Sequence, residues 1–250
     1  MKRVVFIIAV AAFFAGCSKE SKVIKVEQIT ATPSSISMYY DEEAEINMSF
    51  TPPDAPAPAY TYSSSDEYTA TVNNDGTVEA KHVGECVIDI STSDGISTKS
   101  SVTVKPRSKL YTEPYLTFGG TKSDVKGYEK RTVSSEDLTG IVYKGENSNV
   151  RNVVYLFEGG KMTAVGVLLA NTVYCIEEAH KFLTERYDYL LVDDGLFLFK
   201  GKGRIIGFSY ADGLGLHALY IPDTDTKNFT PARFDELKQK LLLEIGNINH

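Results

Sequence analysis

The segment ATVNNDGTVEA, residues 70–80, decides the fold of the first half of the chain. Short β-branched runs lie on both sides of Asn73-Asn74-Asp75-Gly76. An Asp-Gly pair between two such runs is the strongest short-range signal of a β-hairpin, because glycine accepts the positive φ that the turn needs. We therefore predict a tight hairpin turn that ends at Gly76.

Similar short strands are predicted on both sides of this hairpin. Thr51 to Pro58 contains four prolines, which remove backbone donors, so we expect a loop there. The spacing of runs and turns predicts a β-sandwich over residues 24–106. The alternating runs are residues 35–40, 45–50, 60–62, 86–91 and 97–104.

The order of residues across this half resembles the group 2 bacterial immunoglobulin-like domain. Tyr62 stands where that family commonly has Trp, and a phenol can fill such a core position if its hydroxyl finds a partner. Such domains occur in adhesins, in surface enzymes and as spacers, so the resemblance implies a surface module and no sharper function. The resemblance is carried by YSSSD (62–66), ATV (70–72), DGTVEA (75–80), Gly84, VI (87–88) and VTV (102–104).

Residues 109–250 are predicted to form a second domain, beyond a linker at Pro106 to Ser108. Apolar residues at helical spacing predict one helix that begins at a cap on Asn171 and another that begins at Thr230-Pro231. A shorter helix is predicted from Ser123 to Lys130. The apolar stripes are Cys175, Ile176, Ala179, Phe182, Leu183 and Tyr187 in the first, and Phe234, Leu237, Leu241 and Ile245 in the second.

Two groups of strands are predicted in this domain. Turns such as Glu158-Gly159-Gly160 are too short for crossovers, so the sheet should be antiparallel. The order strands, helix, strands, helix predicts an α+β domain with its helices on one face of the sheet. It also suggests a diverged internal duplication in the manner of the TATA-binding-protein-like fold, by analogy of fold alone. The strands are 138–143, 150–157 and 162–169, then 189–192, 196–199, 204–209 and 216–221.

The first residues indicate export. Lys2 and Arg3 precede an apolar run from Val4 to Ala15, which is typical of a signal peptide and too short to span a bilayer. The run ends in Phe14-Ala15-Gly16-Cys17, which resembles the lipobox of bacterial lipoproteins, although Phe14 stands where Leu is usual. The resemblance implies a signal peptide over residues 1–16, a diacylglycerol on Cys17 and a polar tether over residues 17–23. An ordinary cleaved signal with an incidental cysteine is the alternative.

Two further resemblances concern location. Ser18 follows the cysteine, which by resemblance to proteobacterial sorting rules favours the outer membrane and leaves both of its faces open. The segment EPYLTFG, residues 113–119, with Val125-Lys126 and Glu129-Lys130-Arg131 after it, resembles the second half of surface lipoproteins of Bacteroidetes. That resemblance implies a cell-envelope location and this order of domains, and no chemistry.

No catalytic residue, metal ligand or cofactor is predicted. Ser209, in GFSYA (207–211), is one residue from a nucleophile elbow but lies on a predicted hairpin strand. Glu177 and His180 have the spacing of a di-iron half-site without a matching pair, and the four histidines are scattered. Gly119-Gly120-Thr121-Lys122-Ser123 lacks a glycine of a phosphate loop and should be a helix cap. Cys86 and Cys175 fall in separate predicted domains and should be free, buried thiols.

The net charge of −7, without a concentrated basic stripe, argues against nucleic-acid partners. We predict a cell-adhesion or ligand-binding protein, held to the membrane by lipid, with the first domain as a spacer and an unknown protein or glycan as partner. Lys122, Lys126 and Lys130 recur every four residues and form the expected partner-binding edge. A structural or accessory subunit of an envelope assembly and an unrecognised hydrolase are the alternatives.

The lipoprotein prediction has a direct test. Replacing Cys17 by Ser should move the protein from the membrane fraction to the soluble fraction, because two or more acyl chains are needed for stable anchoring and the tether is polar. Fractionation of wild type and Cys17→Ser after detergent-free lysis measures this. A Cys17→Ser protein that stays in the membrane pellet would contradict the lipid anchor.

Overall fold

A computed structural model describes residues 24–193, 195–223 and 231–246. The predicted signal peptide, the tether with Cys17, the cap residue Thr230 and His250 lie outside these residues. The described residues form two β-rich parts, one before and one after the linker at Pro106 to Ser108. Within them, no helix has both the length and the apolar composition to cross a membrane.

The first domain is a β-sandwich whose sheets share one core. One sheet has the order β2-β9-β8-β5, a second has the order β3-β7-β6, and β1 pairs with β4. Ile88, Ile90 and Val78 are fully buried between them, and burying each such side chain contributes about 1.5–3 kcal/mol. The strands are β1 (Gln28–Thr32), β2 (Ser35–Tyr39), β3 (Glu43–Glu45), β4 (Asn47–Thr51), β5 (Tyr60–Ser64), β6 (Ala70–Val72), β7 (Thr77–Ala80), β8 (Gly84–Thr92) and β9 (Ser97–Lys105).

The predicted hairpin at Gly76 is confirmed, since β6 and β7 pair in antiparallel register on either side of it. Gly76 has a φ of +91°, and a Cβ there would lie 2.6 Å from the Ile46 carbonyl oxygen and 2.8 Å from the Tyr62 hydroxyl. Tyr62, in the position of the expected Trp, packs edge-on against Tyr60 at 5.6 Å between ring centroids. Burial, with smaller effects from Tyr60, raises the pKa of Tyr62 to about 12. Because Gly76 has no Cβ, the Tyr62 hydroxyl can pack against the turn.

One predicted strand of the first domain is divided in two. The run from Glu45 to Phe50 was expected to be continuous, but β3 ends at Glu45 and β4 begins at Asn47. Ile46 between them is buried, and its N–H donates to the Gly76 carbonyl at 2.9 Å. The chain changes sheets here, because β3 pairs with β7 whereas β4 pairs with β1.

The second domain is built on one antiparallel sheet of order β10-β11-β12-β13-β17-β16-β15-β14. The predicted strands and helices are present, with β10 in addition. The strands are β10 (Val133–Glu136), β11 (Gly140–Lys144), β12 (Val150–Glu158), β13 (Lys161–Leu169), β14 (Asp188–Asp193), β15 (Leu196–Gly201), β16 (Arg204–Ala211) and β17 (Gly215–Pro222). The helices are α1 (Lys122–Tyr128), α2 (Val173–Thr184) and α3 (Pro231–Gly246).

The prediction that the helices lie on one face of the sheet is wrong. Phe182 of α2 packs into a core on one face, and Phe234 and Leu241 of α3 pack into a separate core on the other. The physical reason lies in the central strands: nearly every residue of β13 and β17 is buried, so both faces need a cover. The strand order consists of two four-stranded meanders that meet at β13 and β17, but the TATA-binding-protein-like layout is not confirmed.

Two details of α2 also differ from the prediction. The cap is Thr172, whose hydroxyl accepts from the Cys175 N–H at 3.1 Å, whereas Asn171 accepts from the Leu216 N–H at 2.8 Å. Ile176, predicted on the buried stripe, is 47% exposed. Asn171 therefore connects the start of α2 to β17, and its neighbour Thr172 is the N-cap.

The end of α2 holds the two domains together. The Glu185 carboxylate, 2% exposed, accepts from the backbone N–H groups of Arg107 at 2.9 Å and Ser108 at 3.1 Å. The Glu185 carbonyl accepts from the Val83 N–H of the first domain at 2.8 Å. Close by, the Tyr68 hydroxyl donates to the Arg186 carbonyl at 2.9 Å. This joint is a set of directional hydrogen bonds around one buried carboxylate.

Removal of that carboxylate should weaken the joint. Glu185→Ala leaves the buried Ser108 N–H and the Arg107 N–H without their acceptor, and each unsatisfied buried group costs about 1–3 kcal/mol. We expect a lower midpoint of urea unfolding. Glu177→Ala, at an exposed position of the same helix, is the matched control and should leave the midpoint nearly unchanged. Equal midpoints for the two variants would show that the joint contributes little to stability.

Candidate functional site

A pocket of about 570 Å³ lies beside the end of α1. Its walls come from the residues that follow α1 and from the end of β11, which the pairing of β10 with β11 brings together. The Lys144 N–H donates to the Thr132 carbonyl at 2.9 Å and fixes this approach. The lining includes Thr112, Tyr128, Glu129, Lys130, Arg131, Lys144 and Glu146.

A buried ion network forms the base of the pocket. The Arg131 side chain is 5% exposed, and its Nη1 lies 2.7 Å from Glu129 Oε1 while its Nε lies 2.8 Å from Glu146 Oε2. Burial by itself would lower the pKa of Arg131, but the hydrogen bonds and charges of Glu146 and Glu129 outweigh it and raise that pKa. Arg131 therefore stays positively charged, and its side-chain N–H groups already donate to protein acceptors. It supports the base of the pocket and does not face a ligand.

The same network holds the segment through Thr112 and Tyr115, which leads into the second domain. The Thr112 N–H donates to Glu146 Oε1 at 2.7 Å, and the Tyr115 N–H donates to the Tyr155 hydroxyl at 2.7 Å. Tyr155 in turn donates to Glu129. Burial and the Glu129 charge raise the pKa of Tyr155, so its hydroxyl keeps the proton that it donates. The base of the pocket is thus rigid.

The exposed groups of the pocket include one aromatic ring and two cations. Tyr128 is 46% exposed, and its position is fixed because its hydroxyl donates to the Glu113 carbonyl at 3.1 Å. Lys130 and Lys144 are exposed and have no ion-pair partner within the described part of the chain. An aromatic ring fixed in position beside two unpaired ammonium groups can bind an anionic ligand that stacks on the ring.

The structure divides the predicted partner-binding edge. Lys126 forms an ion pair with Glu136 at 2.6 Å, and Lys122 lies 3.9 Å from the same carboxylate and donates to the Asp137 carbonyl. Lys130 lies beyond the end of α1, because Glu129 has an extended conformation, and so faces the pocket. The edge stays a prediction. No pattern near Lys144 in the sequence predicted its place beside Lys130, since only strand pairing creates it.

Ser209 and His217 are brought together by the pairing of β16 with β17. Ser209 Oγ lies 3.3 Å from His217 Nε2, and His217 Nδ1 lies 2.9 Å from the Gly215 carbonyl oxygen. This is the contact of a nucleophile with its base, but the two residues are 6% and 0% exposed and lie on a flat strand pair. The arrangement satisfies two buried polar groups without offering the serine to a substrate.

The remaining candidates lie apart from one another. Glu177 and His180 are exposed on α2, and the described residues contain no group of three side chains suited to a metal ion. Cys86 and Cys175 are free and buried, as predicted. Thr121 caps α1 in a capping box with Asp124, as expected for the 119–123 segment.

Residues 25–104 match the family of bacterial Ig-like domains, group 2. The first domain is Ig-like. Comparison of the chain with curated proteins finds no match. The matched Ig-like segment ends before the linker, so it leaves the second domain, with its pocket, outside the family match.

Two solved structures are similar to most of the chain at low scores. Surface layer protein SbsC, domains 4–9, is 15% identical with a TM-score of 0.30, over 81% of this chain and 28% of that one. The S-layer protein SbsC, domains 5–6, is 13% identical with a TM-score of 0.30, over 82% of this chain and 86% of that one. The chain thus spans 28% of the length of the first of these structures. Likeness at this level indicates nothing about what the chain binds.

The buried His217 predicts a pH dependence of stability. Burial, with smaller effects from Lys238 and Arg151, lowers the pKa of His217 below its ordinary value of about 6.5, despite the bond to Gly215. The folded state therefore holds fewer protons than the unfolded state below that pH. Stability should fall as the pH decreases from 6.5, by at most about 1.4 kcal/mol per pH unit.

His217→Gln removes this titration and serves as the comparison. Urea unfolding at pH 7.5, 6.5 and 5.5 should show a steeper loss of stability in wild type than in His217→Gln. All other groups are the same in the two proteins, so the difference between the two profiles isolates His217. Parallel pH profiles would show that His217 does not carry the effect.

Proposed function

We propose that this protein is a lipid-anchored binding protein of the cell envelope, whose pocket at Tyr128, Lys130 and Lys144 takes an anionic carbohydrate. Lipid on Cys17 would hold it to the outer membrane, and the Ig-like domain would act as a spacer. The observation that carries the proposal is the fixed, exposed Tyr128 ring beside two lysines that lack ion-pair partners within the described residues.

The chemistry of the pocket favours an acidic sugar over a neutral one. A tyrosine ring offers an apolar face on which a sugar ring can stack, and its hydroxyl is already satisfied by Glu113. Lys130 and Lys144 can each attract a carboxylate or sulfate group, and such attraction is stronger in a partly enclosed pocket than in open solvent. The single charge of Arg131 against the two carboxylates of Glu129 and Glu146 gives a net charge of −1, and the two lysines of the rim bring the pocket to +1.

The spacer role is supported by the joint at Glu185. A flexible linker would let the second domain turn freely, whereas hydrogen bonds from Arg107, Ser108 and Val83 to this one residue hold it in place. The Ig-like domain would then project the pocket from the membrane in a defined direction.

We also propose that the protein acts without turnover. Support comes from the burial of Ser209 and His217, which keeps the nucleophile-like pair from a substrate. Purified protein should show no hydrolysis of acidic glycans or esters.

The pocket can be separated from the helix edge by two double variants. Lys130→Gln with Lys144→Gln should weaken binding of uronic-acid oligosaccharides at least tenfold and reduce its salt dependence, because the screened attraction is lost. Lys122→Gln with Lys126→Gln is the control, because these lysines already pair with Glu136. Isothermal titration calorimetry at 50 and 300 mM salt measures both.

Three outcomes would contradict the proposal. An equal or larger loss in the Lys122→Gln, Lys126→Gln variant would show that the pocket is not the specific binding site. Tight binding of acidic peptides without binding of the oligosaccharides would point to a protein ligand. Release of shortened oligosaccharides during the titration would show an enzyme.

A further inference from the structure

The strand β14 forms an exposed edge of the sheet in the second domain. It is the last strand in the sheet order, and among the described residues no strand pairs with its outer side. Its sequence, DYLLVD, contains neither the lysine nor the proline that commonly protects an edge from added strands. Asp188 at its start is hydrogen-bonded through its backbone to the Tyr68 hydroxyl, and along the rest of the strand no described strand occupies the outer N–H and C=O groups.

The side chains of this edge are apolar and half exposed. Tyr189 is 45% exposed, Leu190 49% and Leu191 47%. The outer flank of α2 continues the surface, because the His180 ring lies 6.1 Å from the Tyr189 ring and Ile176 is 47% exposed. Large apolar side chains grouped in this way on a soluble domain indicate a contact surface for a protein.

One end of this surface adjoins a groove. Asp188, where β14 begins, borders a groove of about 370 Å³ between the domains, whose lining includes Tyr40, Asp41 and Glu43. Asp41 and Glu43 are exposed and have no ion-pair partner within the described ranges. Lys81 lies 2.5 Å from Glu79, so its charge is already paired. His82 Nε2 lies 3.5 Å from Asp188 Oδ1, so the carboxylates of the groove that lack an ion-pair partner among the described residues include Asp41 and Glu43, and they make this end of the edge acidic.

We propose that the β14 edge binds an extended segment of a protein partner, with alternating apolar residues along β14 and lysine or arginine residues in the acidic groove. Backbone pairing with the edge would supply affinity, and the side chains at the groove would fix the register, as in other cases of strand addition. This surface is separate from the pocket at Lys130 and goes beyond the carbohydrate binding proposed above.

A second copy of the chain fits this edge less well. A second copy would bring the same carboxylates, Asp188, Asp41 and Glu43, to the joint surface, and its β14 has no basic residue to pair with them. Like charges close to one another destabilise a strand pair. A partner with basic residues avoids this repulsion and neutralises Asp41 and Glu43 as well.

Synthetic peptides test the proposal on the mature chain kept in detergent. The probe is a fluorescent peptide of alternating valine and threonine with three lysines at one end. Two further peptides are matched to this probe. In one the lysines are replaced by glutamates, and in the other every second valine is replaced by proline. Fluorescence anisotropy should show binding of the lysine peptide and at least tenfold weaker binding of the other two, because they lack the basic end or the backbone donors.

Variants of the protein locate the site. Leu190→Lys should weaken the lysine peptide at least tenfold, whereas Leu138→Lys, at a position 92% exposed outside the edge, should not change it. Asp41→Asn with Glu43→Gln, both at exposed positions, should weaken it at least threefold and flatten its salt dependence. This second variant keeps the test valid if Leu190→Lys fails to fold.

Several results would overturn the proposal. These are equal binding of the lysine and glutamate peptides, equal binding of the proline peptide, and equal effects of Leu190→Lys and Leu138→Lys. Concentration-dependent self-association that Leu190→Lys abolishes, without peptide binding, would assign the edge to a second copy.

Discussion

The central constraint on the second domain is that its sheet is apolar on both faces. Strands β13 and β17 meet at the middle of the sheet and bury almost every residue, so each face must be covered by another element. Two glycines let α3 approach one face closely: a Cβ on Gly166 would lie 2.8 Å from Leu241, and one on Gly207 would overlap the Phe234 ring. The cover of the other face is α2.

The position of α2 also determines how the two domains are joined. Because Phe182 and Leu183 are buried against the sheet, the residue that follows the helix end, Glu185, is directed at the linker. Its carboxylate accepts the two N–H groups of Arg107 and Ser108, which would otherwise be donors without partners. The same helix thus completes the core of one domain and sets the direction of the Ig-like domain, so the joint follows from core packing and needs no separate motif.

Local patterns in the sequence were sufficient for the elements and insufficient for their arrangement. The turn at Asp75-Gly76 and the apolar stripe through Phe234, Leu237 and Leu241 predicted a hairpin and a helix that are present, because turn chemistry and periodicity act over a few residues. Strand β10 was missed since VSSE lacks large alternating apolar residues. Three other features depend on contacts between distant residues, which no single segment encodes. They are the face covered by α3, the position of the Glu185 carboxylate at the linker and the approach of Lys144 to Lys130.

The two proposed binding surfaces lie at opposite edges of one sheet, and this placement bears on whether they can be used together. The pocket adjoins β10 and β11, and the acidic groove adjoins β14. Seven inter-strand spacings of about 4.8 Å separate the two edges by roughly 34 Å along the sheet. That is several times the Debye length of about 8 Å at physiological salt. The lysines of one surface therefore do not neutralise the carboxylates of the other, although the whole chain carries a net charge of −7. With the sheet between surfaces of opposite charge, the anionic glycan and the basic strand that we propose would bind at the same time without competing for either space or charge.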